Sequence, residues 1–170
     1  MANNHTAGAA ARTFAPSELC QRMLAKTSKG TCGPCILYLE DGTIFYGRAC
    51  GAEGPATGEV CFNTSLEGYF EVMTDPSYAG QIVTMTYPQI GNYGIDETDV
   101  QSAFPGDAVR PASAPAMRGM IVRDMCATPS NWRSAVSVPE YLRAHGIVAI
   151  EGIDTRALVR HLRDNGSKMG

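Results

Sequence analysis

The sequence lacks long apolar runs, a strong excess of either charge and a dense set of cysteines. Its 170 residues are 44% hydrophobic and 18% charged, with a formal net charge of −3. The short apolar runs exclude a transmembrane helix, and an acidic balance argues against a nucleic-acid or anionic-membrane surface. Six irregularly spaced cysteines do not make the framework of a disulfide-rich secreted domain. We therefore expect a soluble, cytoplasmic protein that binds neither nucleic acid nor membrane.

Catalytic motifs are also scarce. The three histidines are His5 near the start of the chain, His145 at the end of a predicted helix and His161 within another. No cysteine lies in the G-x-C-x-G setting of a nucleophile elbow, and no P-loop pair of glycine and lysine occurs. The spacings of Cys and His do not build a complete zinc site. The residues therefore predict no catalytic group, no metal site and no cofactor in this chain.

One motif that is present suggests redox chemistry. Cys32-Gly-Pro-Cys35 has the spacing of a thioredoxin-type dithiol. An active pair of this kind lies at a helix N-terminus, where the helix dipole lowers the thiol pKa. Here the motif is followed by two β-branched and aromatic runs around an Asp-Gly turn at residues 41–42, which predicts a β-hairpin. A strand in place of the helix favours two free thiols over a thiol oxidoreductase.

The first part of the chain differs in composition from the rest. We expect residues 1–35 to form a flexible N-terminal extension and residues 36–170 to form one domain. The extension is rich in Ala, Ser and Thr, with more basic than acidic residues. A targeting peptide or a short docking helix capped by Ser17 would have a similar composition, so both alternatives stay open. The Pro- and Ala-rich residues 103–117 predict an exposed loop.

The rest of the domain alternates strands and turns before two helices. Besides the hairpin, strands are predicted at residues 59–63, 81–87, 119–125 and 147–151. The first helix begins with a capping box of Ser137 and Glu140 and can end at Gly146. The second begins at Asp154 and stops at Gly166. Its predicted buried face consists of Ala157, Leu158 and Leu162. The pattern predicts a β-rich α/β domain with late helices.

The segment Phe62–Gly94, FNTSLEGYFEVMTDPSYAGQIVTMTYPQIGNYG, is densest in turn residues. Asn63 and the two residues after it are expected to cap a turn over residues 66–73, and Thr74 to Ser77 predict a turn with free hydroxyls. Constrained loops on a rigid sheet often bind a ligand or a partner. A well-ordered turn without a ligand would explain the same residues, and the two interpretations stay open.

This segment and its flanks resemble the N-terminal domain of the small, glutamine-handling subunit of carbamoyl-phosphate synthetase. The resemblance covers nearly all residues from 37 to 170 and includes LYLEDGTIFYGRACG, RGMIVRDM and GIDTRALVRHLRDNGSKMG. It implies a three-layer β/β/α swivelling domain, in agreement with the β-rich pattern. The sequence departs from the family in the N-terminal extension with its Cys-Gly-Pro-Cys motif and in the longer loop at residues 103–117.

The resemblance also implies an activity. In the family, the small subunit supplies ammonia from glutamine to a large subunit, a ligase that uses ATP, Mg and bicarbonate to make carbamoyl phosphate for arginine and pyrimidine synthesis. The catalytic Cys, His and Glu of the glutaminase lie in a following amidotransferase domain, which we expect to be absent from this chain. The expected partners are that domain, the large subunit and glutamine. The alternative is a free-standing β-rich interaction module without catalysis.

One site residue carries over from the resemblance. Ser77, in the phrase TDPSY, matches a family serine whose hydroxyl faces the glutamine site across the domain boundary. A hydroxyl both donates and accepts hydrogen bonds, which suits a substrate with an α-amino and an α-carboxylate group. The resemblance therefore implies that Ser77 binds glutamine and that the Phe62–Gly94 loops face the amidotransferase domain. The alternative is a serine that bonds only to its own turn.

Overall fold

The computed structural model describes residues 33–96, 114–131 and 136–170. In these ranges the strands are β1 (Pro34–Tyr38), β2 (Ile44–Ala49), β3 (Glu59–Asn63), β4 (Ile82–Met85), β5 (Gln89–Ile90), β6 (Gly119–Ile121), β7 (Asp124–Met125), β8 (Val148–Glu151) and β9 (Lys168–Met169). The helices are α1 (Tyr69–Thr74), α2 (Val138–Ala144) and α3 (Thr155–Asn165), and one 3₁₀ turn spans Pro76–Tyr78.

Seven of the strands form one mixed sheet in the order β1-β2-β8-β6-β4-β3-β9, and β5 pairs with β7 in a second, two-stranded sheet. Strands β8, β6, β4 and β3 are parallel to one another, whereas β2 and β9 run antiparallel to their neighbours. Parallel neighbours need crossover connections, which here pass through loops and helices. The predicted β-rich α/β fold is confirmed.

The hairpin predicted after the Cys-Gly-Pro-Cys motif is also confirmed. Pro34 lies opposite Arg48 and Tyr38 lies opposite Ile44. Gly42 has φ of 88°, a left-handed conformation that glycine adopts without the strain of a side chain. Strand β1 begins at Pro34, two residues before the expected start of the domain. Cys32, the rest of the expected extension up to residue 32, and residues 103–113 of the expected loop lie outside the described residues.

The central strands of the large sheet are covered on both faces by two apolar clusters. Adjacent residues of β4 belong to different clusters, Val83 to one and Ile82 to the other. The Val83 cluster includes side chains of α1 and α2, and the Ile82 cluster includes Leu158 and Leu162 of α3. All four residues of β4 are buried, as expected for a central strand covered on both sides.

The late helices follow their predicted capping. In α2 the Ser137 hydroxyl accepts from the Glu140 N–H, and the Glu140 side chain accepts from the Ser137 N–H. In α3 the Asp154 side chain accepts from the N–H of Ala157. The predicted buried face of α3 is wrong at one position, because Ala157 is exposed. The buried residues of α3 are Thr155, Leu158 and Leu162, whose spacing of three and four residues places them on one side of the helix.

Two elements differ from the predictions for the earlier part of the domain. Residues 119–125 form two short strands, β6 and β7, which belong to different sheets. A six-residue helix, α1, also occupies part of the segment that was expected to be a capped turn. Helices this short are marginal in isolation, so α1 depends on the burial of side chains such as Phe70 and Met73.

Candidate functional site

The Phe62–Gly94 segment contains three turns held together by side-chain hydrogen bonds. At the end of β3, the Asn63 Oδ1 accepts from the Ser65 N–H at 2.7 Å, which closes a local Asx turn. The Asn63 Nδ2 donates to the Tyr78 Oη at 2.9 Å. The turn after β3 is therefore tied to the 3₁₀ turn before β4, and the two turns can be positioned as one unit.

The N-terminus of α1 is capped by Tyr93 from the third turn of the segment, at residues 91–94. Gly68, with φ of 77°, is the N-cap residue and has no side chain to cap the helix. The Tyr93 Oη accepts from the Gly68 N–H at 2.9 Å and from the Tyr69 N–H at 3.3 Å. The expected cap by Asn63 is therefore wrong, because that side chain is engaged in its own turn and with Tyr78.

Tyr69 completes the link between α1 and the third turn. Its ring stacks on Tyr93 with 4.1 Å between the ring centroids, and its hydroxyl donates to the Gly94 carbonyl oxygen at 2.7 Å. Burial raises the pKa of both phenols above the ordinary value, to the greater extent for Tyr69. Both tyrosines are therefore neutral at physiological pH and act here as hydrogen-bonding groups that shape the loops.

Ser77 lies in the middle of the 3₁₀ turn. The Asp75 Oδ1 accepts from the Ser77 N–H at 2.8 Å, and Pro76 at the first position of the turn fixes its φ. Ser77 is exposed. Its hydroxyl makes no hydrogen bond with the described residues. The backbone of Ser77 is thus held firmly, while its hydroxyl is available to a ligand.

The hydroxyl of Thr74 behaves differently from the prediction. It was expected to be free, but it donates to the carbonyl oxygen of Phe70 at 3.0 Å, and Thr74 is only 1% exposed. A threonine in the last turn of a helix can satisfy its hydroxyl with the carbonyl four residues earlier. Of the two hydroxyls that are predicted to be free in this turn, only that of Ser77 is exposed to solvent.

A groove of about 800 Å³ opens beside this loop system. Its lining residues come from two parts of the segment, residues 66–71 and residues 87–93: Leu66, Glu67, Gly68, Tyr69, Glu71, Tyr87, Gln89, Asn92 and Tyr93. Leu66 is 71% exposed at its rim. Ser77 is not among the lining residues, so the groove and the exposed hydroxyl are separate features of the same loop system.

The two histidines in the described residues, His145 and His161, have structural partners. The ring Nδ1 of His145 lies 3.0 Å from the Tyr141 carbonyl oxygen at the end of α2. The Nε2 of His161 lies 2.7 Å from the Asp41 Oδ2 in the hairpin turn, a contact that no spacing in the sequence indicates. The Thr43 N–H is the main cause of the lowered Asp41 pKa of about 2, and the His161 contact adds to it.

Two of the four described thiols, those of Cys35 and Cys61, are in surroundings that disfavour the nucleophilic thiolate. Burial raises the pKa of the Cys35 thiol, and burial together with the charge of Glu59 raises that of Cys61 to about 11. Within residues 33–96, 114–131 and 136–170, no three or more His, Cys, Asp or Glu side chains are grouped to hold a metal ion. None of the described helices has the length and apolar character needed to cross a bilayer.

The comparison with known proteins agrees with the resemblance noted from the motifs. Residues 37–170 match the family model described as carbamoyl-phosphate synthase small chain, CPSase domain. The protein from Syntrophotalea carbinolica named carbamoyl phosphate synthase small chain is 56% identical over 135 residues, which is 79% of this chain and 33% of the relative. Proteins of the same name from Xanthomonas axonopodis pv. citri and Thermotoga maritima are 54% and 51% identical, over 81% and 79% of this chain and 32% of each relative.

The match includes the whole of the described loop system, from Phe62 to Gly94, and both late helices. The chain spans about a third of the length of the curated relatives it matches. The family model covers most of the chain, and the matched residues contain the large sheet from Leu37 onwards. This chain therefore belongs to the carbamoyl-phosphate synthase small-chain family, as the N-terminal domain of the small subunit.

Proposed function

We propose that this domain is the non-catalytic part of a glutamine-dependent carbamoyl-phosphate synthase, where it positions glutamine and contacts its partners. In this proposal an amidotransferase domain releases ammonia from glutamine in the cytoplasm. A large subunit that holds ATP and Mg then uses the ammonia to make carbamoyl phosphate for arginine and pyrimidine synthesis. The observation that carries the proposal is Ser77, an exposed hydroxyl on a turn whose backbone is held by Asp75.

The Ser77 turn is suited to recognition of a small polar substrate. The Asp75 carboxylate and the ring of Pro76 restrict the backbone before any ligand binds, so little further conformational entropy is lost on binding. The hydroxyl can accept from an α-amino group or donate to an α-carboxylate. A second tie, from Tyr78 to Asn63, fixes the turn relative to β3. These contacts support a positioning role for Ser77 toward glutamine.

The chemistry assigned to the partner domain agrees with the thiols described here. A glutaminase of this class needs a cysteine thiolate, which requires a lowered pKa and a base. Cys35 and Cys61 instead have raised pKa values. The role proposed for this domain is therefore contact and orientation, with bond cleavage assigned to the amidotransferase domain.

The experiment is a comparison of nitrogen sources in the complete enzyme carrying Ser77→Ala. We expect kcat/KM for glutamine to fall by about two- to tenfold, because one neutral hydrogen bond contributes about 0.5–1.5 kcal/mol. A bond to the charged substrate head would extend the loss to about a hundredfold. Synthesis from ammonia should be unchanged. Ser65→Ala is the matched control, since Ser65 is also an exposed serine of this loop system.

Three outcomes decide between the proposals. A selective loss with glutamine supports glutamine positioning by Ser77. Equal losses with glutamine and ammonia would identify Ser77 as a residue needed for folding or assembly. If neither rate changes in Ser77→Ala, the hydroxyl has no part in substrate binding. If the domain also fails to assemble with the amidotransferase domain, the free-standing interaction module is favoured.

A further inference from the structure

Three polar side chains on one face of β3 hold the chain between the 3₁₀ turn and β4. Side chains alternate along a strand, so Glu59, Cys61 and Asn63 lie on the same face. The Glu59 Oε2 accepts from the Gln81 Nε2 at 3.0 Å, and the Cys61 Sγ donates to the Gln81 Oε1 at 3.4 Å. The Asn63 Nδ2 donates to the Tyr78 Oη at 2.9 Å. This face of β3 therefore holds the chain at two places, Tyr78 and Gln81.

The two contact points hold different parts of the chain. Gln81 directly precedes β4, and its carbonyl oxygen accepts from the Arg118 N–H at 2.8 Å, so its side chain fixes the start of that strand. Tyr78 is the last residue of the 3₁₀ turn, and its ring packs against the Val83 cluster. Among the described residues, the turn makes no hydrogen bond to the sheet other than the one between Tyr78 and Asn63. This bond therefore fixes the turn relative to β3.

The direction of the Ser77 side chain depends on that of Tyr78. Successive residues of a 3₁₀ helix are turned by about 120°, so neighbouring side chains face different ways. Tyr78 is half-buried and reaches Asn63, whereas Ser77 is exposed. A rotation of the turn that broke the bond to Asn63 would also redirect the Ser77 hydroxyl. The bond from Asp75 to the Ser77 N–H would not prevent this, because Asp75 caps the same turn and would rotate with it.

We infer that Asn63 and Tyr78 are positioning residues for glutamine, which act through Ser77 without touching the substrate. The inference rests on the role proposed above for Ser77. A group that binds the head of a small substrate has to be held to within about 0.5 Å of its productive position by surrounding contacts. The hydrogen bonds inside the turn fix its shape, and the bond between Asn63 and Tyr78 fixes its direction on the sheet.

A hydrogen bond that served folding alone would use the same two residues. Its loss would affect synthesis from glutamine and from ammonia alike, because both need the folded and assembled enzyme. Its effect on glutamine use would also be the same whether or not residue 77 carries a hydroxyl, since independent effects add. The nitrogen source and the Ser77 background therefore separate a positioning role from a structural one.

The test is a double-mutant cycle of Tyr78→Phe and Ser77→Ala in the complete enzyme. Tyr78→Phe removes the oxygen that accepts from Asn63 and retains the ring that packs against the Val83 cluster. We expect kcat/KM for glutamine to fall by about two- to tenfold, as for one neutral hydrogen bond, with synthesis from ammonia unchanged. In the Ser77→Ala background the same change should have no further effect, because the group through which Tyr78 acts is missing.

Asn63→Asp is the variant that should retain the bond. One carboxylate oxygen can still accept from the Ser65 N–H, and the other can accept from the Tyr78 O–H, so the donor and acceptor exchange roles. Glutamine use should stay close to the wild type in Asn63→Asp and fall when Tyr78→Phe is added. Tyr46→Phe is the matched control, since Tyr46 is an exposed tyrosine of β2 whose hydroxyl makes no hydrogen bond with the described residues.

Failure of this inference and failure of the role proposed for Ser77 give different results. If Ser77→Ala leaves glutamine use unchanged, the role of Ser77 is wrong and the inference falls with it. If Ser77→Ala is defective and Tyr78→Phe equals the wild type, the inference alone is overturned. Equal losses from Tyr78→Phe in both backgrounds, or a parallel loss with ammonia, would also overturn it. The cycle of Tyr78 and Ser77 decides the question by itself if Asn63→Asp does not fold.

Discussion

Replacement of Tyr93 by Phe tests the tie that builds the candidate site. The substitution removes one oxygen and retains the ring, so the stacking on Tyr69 with 4.1 Å between centroids can persist. The lost oxygen accepts from the N–H groups of Gly68 and Tyr69 at 2.9 and 3.3 Å. Because the N-cap residue Gly68 has no side chain, these N–H groups have no replacement within the first turn of α1.

The expected cost follows from the environment of these groups. Loss of a helix N-cap costs about 0.5–2 kcal/mol, and a buried N–H left without a partner costs about 1–3 kcal/mol. Tyr93 is half-buried and the second bond is long, so water can partly replace the oxygen. We therefore expect Tyr93→Phe to lower the free energy of unfolding by about 1–2 kcal/mol.

Urea denaturation monitored by circular dichroism measures this change. At a typical slope of about 2 kcal/mol/M, the midpoint should fall by about 0.5–1 M without a change in slope. Tyr87→Phe is the matched control, because Tyr87 lines the same groove and its hydroxyl makes no hydrogen bond with the described residues. Hydrogen exchange at the Gly68 and Tyr69 amides adds a local measurement, and both should exchange faster in Tyr93→Phe. If the two variants are equally stable, or these amides exchange at the wild-type rate, the capping role of Tyr93 is wrong.

Three further measurements test other parts of the domain. Asp41→Asn should be less stable than the wild type above pH about 4, where the Asp41 carboxylate is ionised in both the folded and the unfolded state. The difference should shrink as the pH falls through the lowered pKa of about 2, because protonation removes the stabilisation that the carboxylate provides; a pH-independent difference in urea midpoint would contradict this. Gly47→Ala should lower the free energy of unfolding by about 1–3 kcal/mol, because the added methyl group meets a main-chain carbonyl oxygen of β8. Gly33→Ala, whose methyl group meets nothing within 4 Å, should be nearly neutral in the same denaturation assay. Cys35 should react with iodoacetamide at pH 8 more slowly than a free cysteine peptide, since burial raises its pKa, and mass spectrometry of the alkylated protein would reveal the opposite.

The features that sequence alone predicted depend on contacts between near neighbours in the chain. The capping box of Ser137 and Glu140 joins residues three positions apart, so its motif specifies both hydrogen bonds. The hairpin after Cys35 likewise follows from an Asp-Gly turn between β-branched and aromatic runs. The family followed from the long phrases around Ser77, whose match extends over residues 37–170.

Tertiary structure decided the features that join distant positions. Helix α1 is capped by Tyr93, 25 residues after Gly68, so no local motif could reveal its start. The contact of His161 with Asp41 joins residues 120 apart. Neither propensity nor spacing encodes these pairings, because they arise only when packing of the two apolar clusters brings separate segments of the sheet together.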